Sequence, residues 1–218
     1  MIYGFDIETI RNAQMIPLLP EPTPDSRLKD PAKVASDIAD KKAEQTEKMA
    51  LDPLFGRVLC VALVTDDEAG CPILTEDTDE CERALLQQVF GVLARKEMRL
   101  VTWNGAGFDL PYLFKRAMCL NVNPANFGCP PLSAWVQKYK SEKHIDLMLE
   151  MAGWGKFMKL DTVSRAVLGD HKTEEIDVTQ FHIQMQTQEG RDKIAEYCIQ
   201  DTKLTYELYG RAKGVLFA

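Results

Sequence analysis

Residues 2–8, Ile2-Tyr3-Gly4-Phe5-Asp6-Ile7-Glu8, decide how the chain is read. Side chains alternate across a strand, so Tyr3, Phe5 and Ile7 fall on one face and Gly4, Asp6 and Glu8 on the other. The segment predicts a first strand with an apolar face turned to a core. Its other face carries two carboxylates roughly 6–7 Å apart along the strand. Like charges at that range in a partly buried site resist joint ionisation unless a cation neutralises them. The spacing alone says little, because 33 acidic residues in 218 produce about five such pairs by chance. Asp66/Glu68, Asp77/Asp79 and Glu80/Glu82 are three of these, set in polar turns, and they read as solvated. Asp6 and Glu8 differ because they interrupt an apolar strand.

Working outward, Pro17, Pro20, Pro22, Pro24 and Pro31 mark a loop or insertion. Asp30-Pro31 predicts the cap and first turn of a polar helix reaching about Ala50. Only Val34, Ala35, Ile38 and Ala39 give it an apolar stripe, which places it on the surface. Residues 57–65 predict a strand, with 71–75 as its partner across an acidic turn. Asp79 then caps a helix whose face is Leu85, Leu86, Val89, Phe90 and Leu93. A short strand at 99–103 leads into Asn104-Gly105-Ala106-Gly107, and a helix follows Asp109-Leu110-Pro111. Beyond a Pro/Gly-rich connection (123–131) come a short apolar segment around Ile145 and a helix from Asp161 to Gly169. The last helix runs from about Glu189 to Lys213. Strands first and helices later predict an α/β or α+β single domain over 1–218 with a mixed sheet and a polar insertion at about 11–52.

Composition narrows the classes. At 45% hydrophobic and 27% charged residues the chain is globular. No apolar run approaches the roughly 18 residues of a membrane helix, and Met1 leads straight into the first strand with no signal-peptide pattern. A cytoplasmic protein with no membrane partner is expected. Cys60, Cys71, Cys81, Cys119, Cys129 and Cys198 form no C-x-x-C pair, so they read as reduced thiols rather than a zinc knuckle or disulfide framework. The net charge of −7 provides no basic field for long nucleic acid. A polyanion would have to be held by local contacts or through cations bound at carboxylates.

Two further places put carboxylates where a plain core would not. Ile194, Tyr197, Cys198, Asp201, Leu204, Thr205 and Leu208 follow helical spacing and define the inward stripe of the last helix. Asp201 lies in that stripe, with Tyr197 one turn before it. A charge there costs several kcal/mol unless it is paired or ligates a metal. Either Asp201 binds a metal, or it pairs with a base from elsewhere while Tyr197 packs in the core. At the strand-to-helix junction, Asp109 either serves a site or caps the helix containing Pro111.

Taken in order, Asp6-Ile7-Glu8-Thr9, then Asn104-Gly105-x-x-Phe108-Asp109-x-Pro111-x-Leu113, then Tyr197-x-x-x-Asp201 resemble the DEDD (DnaQ-like) 3′–5′ exonucleases. The chain looks closest to the proofreading exonuclease domain of family B DNA polymerases and its stand-alone relatives. His144, His171 and His182 are followed five positions on by Leu149, Ile176 and Thr187, so the histidine form of the last motif does not fit. The tyrosine form, DEDDy, does. The resemblance implies a ribonuclease H-like fold, a mixed central sheet flanked by helices. It also implies metal-dependent hydrolysis at single-stranded 3′ ends, DNA in preference to RNA, releasing nucleoside 5′-monophosphates. Asp6, Glu8 and Asp201 would hold one Mg²⁺ or Mn²⁺, with Asp6 bridging to a second ion supported by Asp109. Tyr197 would orient the attacking water, and Thr9, Asn104 and Phe108 would contact the substrate. A polymerase or repair partner in trans is the implied protein partner.

Several features stand outside the pattern. Trp103 takes the place of the family's frequent histidine and reads as a core aromatic before a base-stacking platform. The 9–50 segment is either a lid or a surface insertion. Lys138, Lys140, Lys143 and His144, like Lys156 and Lys159 beside Trp154, read as solvated faces, with phosphate contact as the alternative. Asp146 and Asp161 read as helix caps.

Overall fold

The structure, a computed structural model, describes residues 1–137, 142–153, 155–169 and 176–216. Lys138, Lys140, Trp154 and His171 lie outside the described residues. The strands are β1 (Ile2–Arg11), β2 (Gly56–Val64), β3 (Ala69–Gly70), β4 (Arg99–Thr102) and β5 (His144–Asp146). The helices are α1 (Pro31–Lys48), α2 (Asp79–Leu93), α3 (Asp109–Cys119), α4 (Leu132–Trp135), α5 (Leu147–Ala152), α6 (Leu160–Leu168), α7 (Phe181–Gln184) and α8 (Gln188–Ala212).

The sheet runs in the order β3-β2-β1-β4-β5. β1 pairs antiparallel with β2 and parallel with β4, and β4 pairs parallel with β5, so the sheet is mixed as expected. Its centre is closed off from water: all of β2 except Leu63 is buried, as a strand covered on both faces must be. Tyr3, Phe5 and Ile7 pack into a core with Leu86, Phe90 and Leu113. On the Gly4/Asp6/Glu8 face lies α8. It comes so near β1 that a Cβ on Gly4 would stand 3.0 Å from Thr202 Cγ2 and 3.1 Å from the Thr202 carbonyl oxygen.

Several boundaries shift for local reasons. The strand expected at 71–75 is reduced to β3 and an isolated bridge between Cys60 and Ile73. Pro72 has no N–H for a ladder, and it only accepts, from Val61 N at 3.1 Å. Thr78 rather than Asp79 caps α2, its hydroxyl accepting from Cys81 N. α6 starts a residue earlier than expected, so Asp161 lies in its first turn and pairs with Arg165 instead of capping. Asp30 does cap α1, with Pro31 at the first helical position. α1 buries no side chain, as its thin stripe implied, and it is a surface helix.

The solvated reading of the Glu80/Glu82 pair fails at Glu82. Glu82 is not solvated: it is fully buried, as is the Arg57 side chain. Arg116 meets both Glu82 oxygens, at 2.8 and 2.7 Å. Arg57 reaches Glu82 at 3.2 Å and also pairs with Asp77 and Asp79 at 2.7 and 2.8 Å. Val58 N donates to Glu82 as well, at 2.9 Å. The network pins α2 to β2 and α3. Since removing one partner strands buried charge, Glu82→Ala should cost about 3–5 kcal/mol, measured by urea unfolding against the parent chain.

Candidate active site

Every sequence-predicted carboxylate lies on an element that meets β1. Asp6 and Glu8 are half-buried on β1 itself. Asp109 opens α3 and is buried, 3% exposed. β4 pairs with β1 only as far as Gly4, so further along the strand the Ile7 N–H faces no β4 partner. Asp109 Oδ1 takes that N–H at 3.1 Å, which makes it a strand cap rather than the helix cap considered above. Asp201, 7% exposed, comes from α8 on the opposite side.

The four groups are electrostatically linked through Asp6. The Asp6 carboxyl is driven well above the carboxylate range, first by burial and then by the charges of Asp109, Glu8 and Asp201. Burial likewise raises Asp109 to about 6, against the opposing pull of its hydrogen bonds with Asp6 and the backbone. The charges that weigh most on Asp6 are all carboxylates, and the donor set is oxygen-rich. This is the environment a hard divalent cation would relieve.

Tyr197 stands half-buried one turn before Asp201 on α8. Its ring packs edge-on against the buried Phe181 of α7, with centroids 5.9 Å apart and planes at 70°. Thr9 follows the strand carboxylates directly, at the point where the β1/β2 register shifts. Asn104 and Phe108 bracket the loop before Asp109, with the Phe108 ring 5.3 Å from that of Tyr112.

That loop is held by groups whose role the sequence reading missed. Asn104 takes a left-handed φ of 66°, a conformation asparagine tolerates better than most residues. A Cβ on Gly105 would lie 2.3 Å from Thr102 Oγ1, so only glycine fits there. Asp146 does cap α5 through Leu149 N at 3.2 Å, as expected. It also accepts from Asn104 N at 3.1 Å and Ala106 N at 2.9 Å, clamping the loop. His144 is buried rather than solvated, its Nε2 2.8 Å from Thr102 Oγ1, which in turn accepts from Gly105 N at 3.0 Å. Burial lowers His144 to about 4, so it stays neutral. The only signal for the clamp was a carboxylate closing a short apolar segment. Lys143 sits with its ammonium 5.5 Å from the Trp135 ring centroid. Trp103 donates from Nε1 to the Met158 carbonyl at 2.9 Å and packs in the minor core, as a core aromatic would.

Residues 51–216 match the family described as predicted 3′–5′ exonucleases related to the exonuclease domain of PolB. The chain belongs to that family. The matched span contains Asp109, Tyr197 and Asp201, with Asp6 and Glu8 preceding it. Among curated relatives, this chain is 30% identical over 178 residues to DNA polymerase 1 of Aeropyrum pernix, covering 74% of this chain and 18% of that protein. It is 27% identical over 173 residues to a DNA polymerase of Pyrococcus horikoshii, covering 71% and 14%. The family B DNA polymerase of Pyrobaculum calidifontis shares the fold, with a TM-score of 0.63 at 18% identity, over 97% of this chain and 24% of that one. The chain thus spans less than a quarter of each. The structural likeness bears out the ribonuclease H-like fold implied by the motifs. No helix among the described residues is long and apolar enough to cross a membrane.

Two predictions follow from the geometry. A carboxyl raised in the folded state contributes stability while protonated and loses it as pH climbs through the folded pKa. In EDTA, the wild-type melting temperature should therefore fall relative to Asp109→Asn as pH rises from about 4 through about 6, the interval between the ordinary 3.8 and the raised value of Asp109. Added Mg²⁺ should narrow the gap. Asp146→Ala, which leaves three part-buried N–H groups without their acceptor, should cost about 1–3 kcal/mol and speed amide exchange at Asn104 and Ala106.

Proposed function

We propose that this chain is a metal-dependent 3′–5′ exonuclease acting on the 3′ ends of single-stranded nucleic acid, DNA in preference to RNA. The observation that carries the reading is that the charges of Asp109, Glu8 and Asp201 all bear on the Asp6 carboxyl. They come from three elements, and α8 also brings Tyr197. Family membership and the archaeal polymerase relatives support it.

Asp6, Glu8 and Asp201 would hold one Mg²⁺ or Mn²⁺ ion, with Asp6 and Asp109 supporting a second. Two such ions would supply charge stabilisation for the attacking and leaving oxygens of an in-line displacement. The chain's own groups do the positioning. Ile7 N–H fixes the Asp109 carboxylate, and the Asp146 clamp fixes the loop carrying Asn104 and Phe108 beside the substrate end. Thr9 extends that contact from β1. Tyr197, its ring braced by Phe181, orients a water for attack. With a net charge of −7, the chain holds phosphate through cations rather than through a basic groove. Attack of water on the last phosphodiester breaks its bond to the 3′ oxygen, so each cycle releases a nucleoside 5′-monophosphate and leaves a new 3′ hydroxyl. A polymerase or repair protein acting in trans would present the 3′ end.

Incubation of 5′-labelled single-stranded DNA and matched RNA with Mg²⁺, Mn²⁺ or EDTA tests the reading. A metal-dependent ladder shortening from the 3′ end is expected, with DNA the faster substrate. Asp6→Ala should lower the rate by about a thousandfold, equivalent to several kcal/mol of lost transition-state stabilisation, with the fold intact by circular dichroism. A ladder unaffected by Asp6→Ala, or by EDTA, would overturn it.

A further inference from the structure

Cys60, Cys71 and Cys198 share no spacing motif in the sequence. They come from the middle of β2, from the turn after β3 and from α8. Their three Sγ atoms nevertheless lie within 4.8 Å of one another. We propose that this trio is a second cation site, a thiophilic one, taking a borderline-soft divalent ion of the zinc class.

Three thiolates around such an ion, each at about 2.3 Å in tetrahedral array, stand roughly 3.8 Å apart. The trio needs only a small closure to reach that spacing. Cys60 and Cys198 are fully buried and held by a central strand and the longest helix, so they form a fixed pair. Cys71 is half-exposed and follows Gly70, around whose Cβ position nothing lies within 4 Å, so it supplies both the moving ligand and the entry path. Cys198 Sγ also lies within 4.8 Å of the Asp6 and Glu8 carboxylate oxygens, which places the fourth coordination position toward a carboxylate or a water. Thiolates select zinc-class ions, whereas Mg²⁺ and Mn²⁺ prefer all-oxygen sites, so the two neighbouring sites sort ions by chemistry. Cys198 directly follows Tyr197 and precedes Asp201 by less than a turn, so an ion on its sulfur fixes that stretch of α8.

The test uses the reduced chain with Mg²⁺ in saturating excess and Co²⁺ as the probe. A thiolate-to-cobalt charge-transfer band should grow to saturation at a single Co²⁺ per chain and bleach on adding Zn²⁺. Cys71→Ser should weaken Co²⁺ binding by at least about a hundredfold, the upper scale reached by losing an outer supporting residue alone. Its metal-free melting temperature should match the parent's. Cys119→Ser, at an exposed thiol outside the trio, should keep the band. Absence of the band in the parent chain, or an unchanged band in Cys71→Ser, would overturn the proposal. So would a disulfide within the trio whose reduction yields a chain that takes up no Co²⁺. No turnover is read, so the outcome is independent of the exonuclease assignment.

Discussion

The approach of α8 to β1 at Gly4 is the constraint on which the rest depends. Any side chain at position 4 would press on Thr202, its carbonyl and Tyr206. Lifting the helix there would draw Asp201 away from Asp6. Three other requirements converge on the same contact. Thr202 and Thr205 are buried on that face, Thr202 returning its hydroxyl to the Cys198 carbonyl at 2.7 Å. Cys198, small and apolar, lets the helix lie flat over β2. The carboxylates then occupy the part of β1 beyond its pairing with β4, where the strand offers a backbone N–H that Asp109 can use.

Charge is handled differently in the two places where it is buried. Around Glu82, opposite charges satisfy one another with direct hydrogen bonds, and the cluster ties α2, α3 and β2 into one piece. Around Asp6, like charges are held together by that rigid surround and stay mutually unfavourable. A scaffold stabilised elsewhere can carry a site that opposes its own folding. The separation matters because the two clusters contact opposite faces of neighbouring strands and share no side chain.

The fold was legible wherever one element carries its own message. The alternation in 2–8, the inward stripe of α8 from Ile194 to Leu208, and the Asp30-Pro31 helix start each depend on local periodicity or capping, and each stands as read. Asp6, Glu8 and Asp201 stood out because they interrupt apolar patterns, Asp109 and Tyr197 through the motif order they complete. What the sequence hid lies between elements. Glu82 looked solvated because its partners Arg57 and Arg116 lie 25 and 34 positions away. The Asp146 clamp depends on backbone N–H groups, which have no letter in the sequence. The thiol trio has no spacing signature, since the three cysteines meet only after β2, the β3 turn and α8 are in place. The short β3 pairing was missed because a proline within an apolar run cut the ladder.

Asp6 lies on β1 and Asp201 on α8, 195 positions apart in the sequence. A contact between elements so distant carries a large loop-closure cost and forms only once the intervening strands and helices are packed. The influence of the Asp201 charge on Asp6 is therefore a property of the completed tertiary structure, and loosening α8 from β1 removes it while leaving each element's own hydrogen bonds in place.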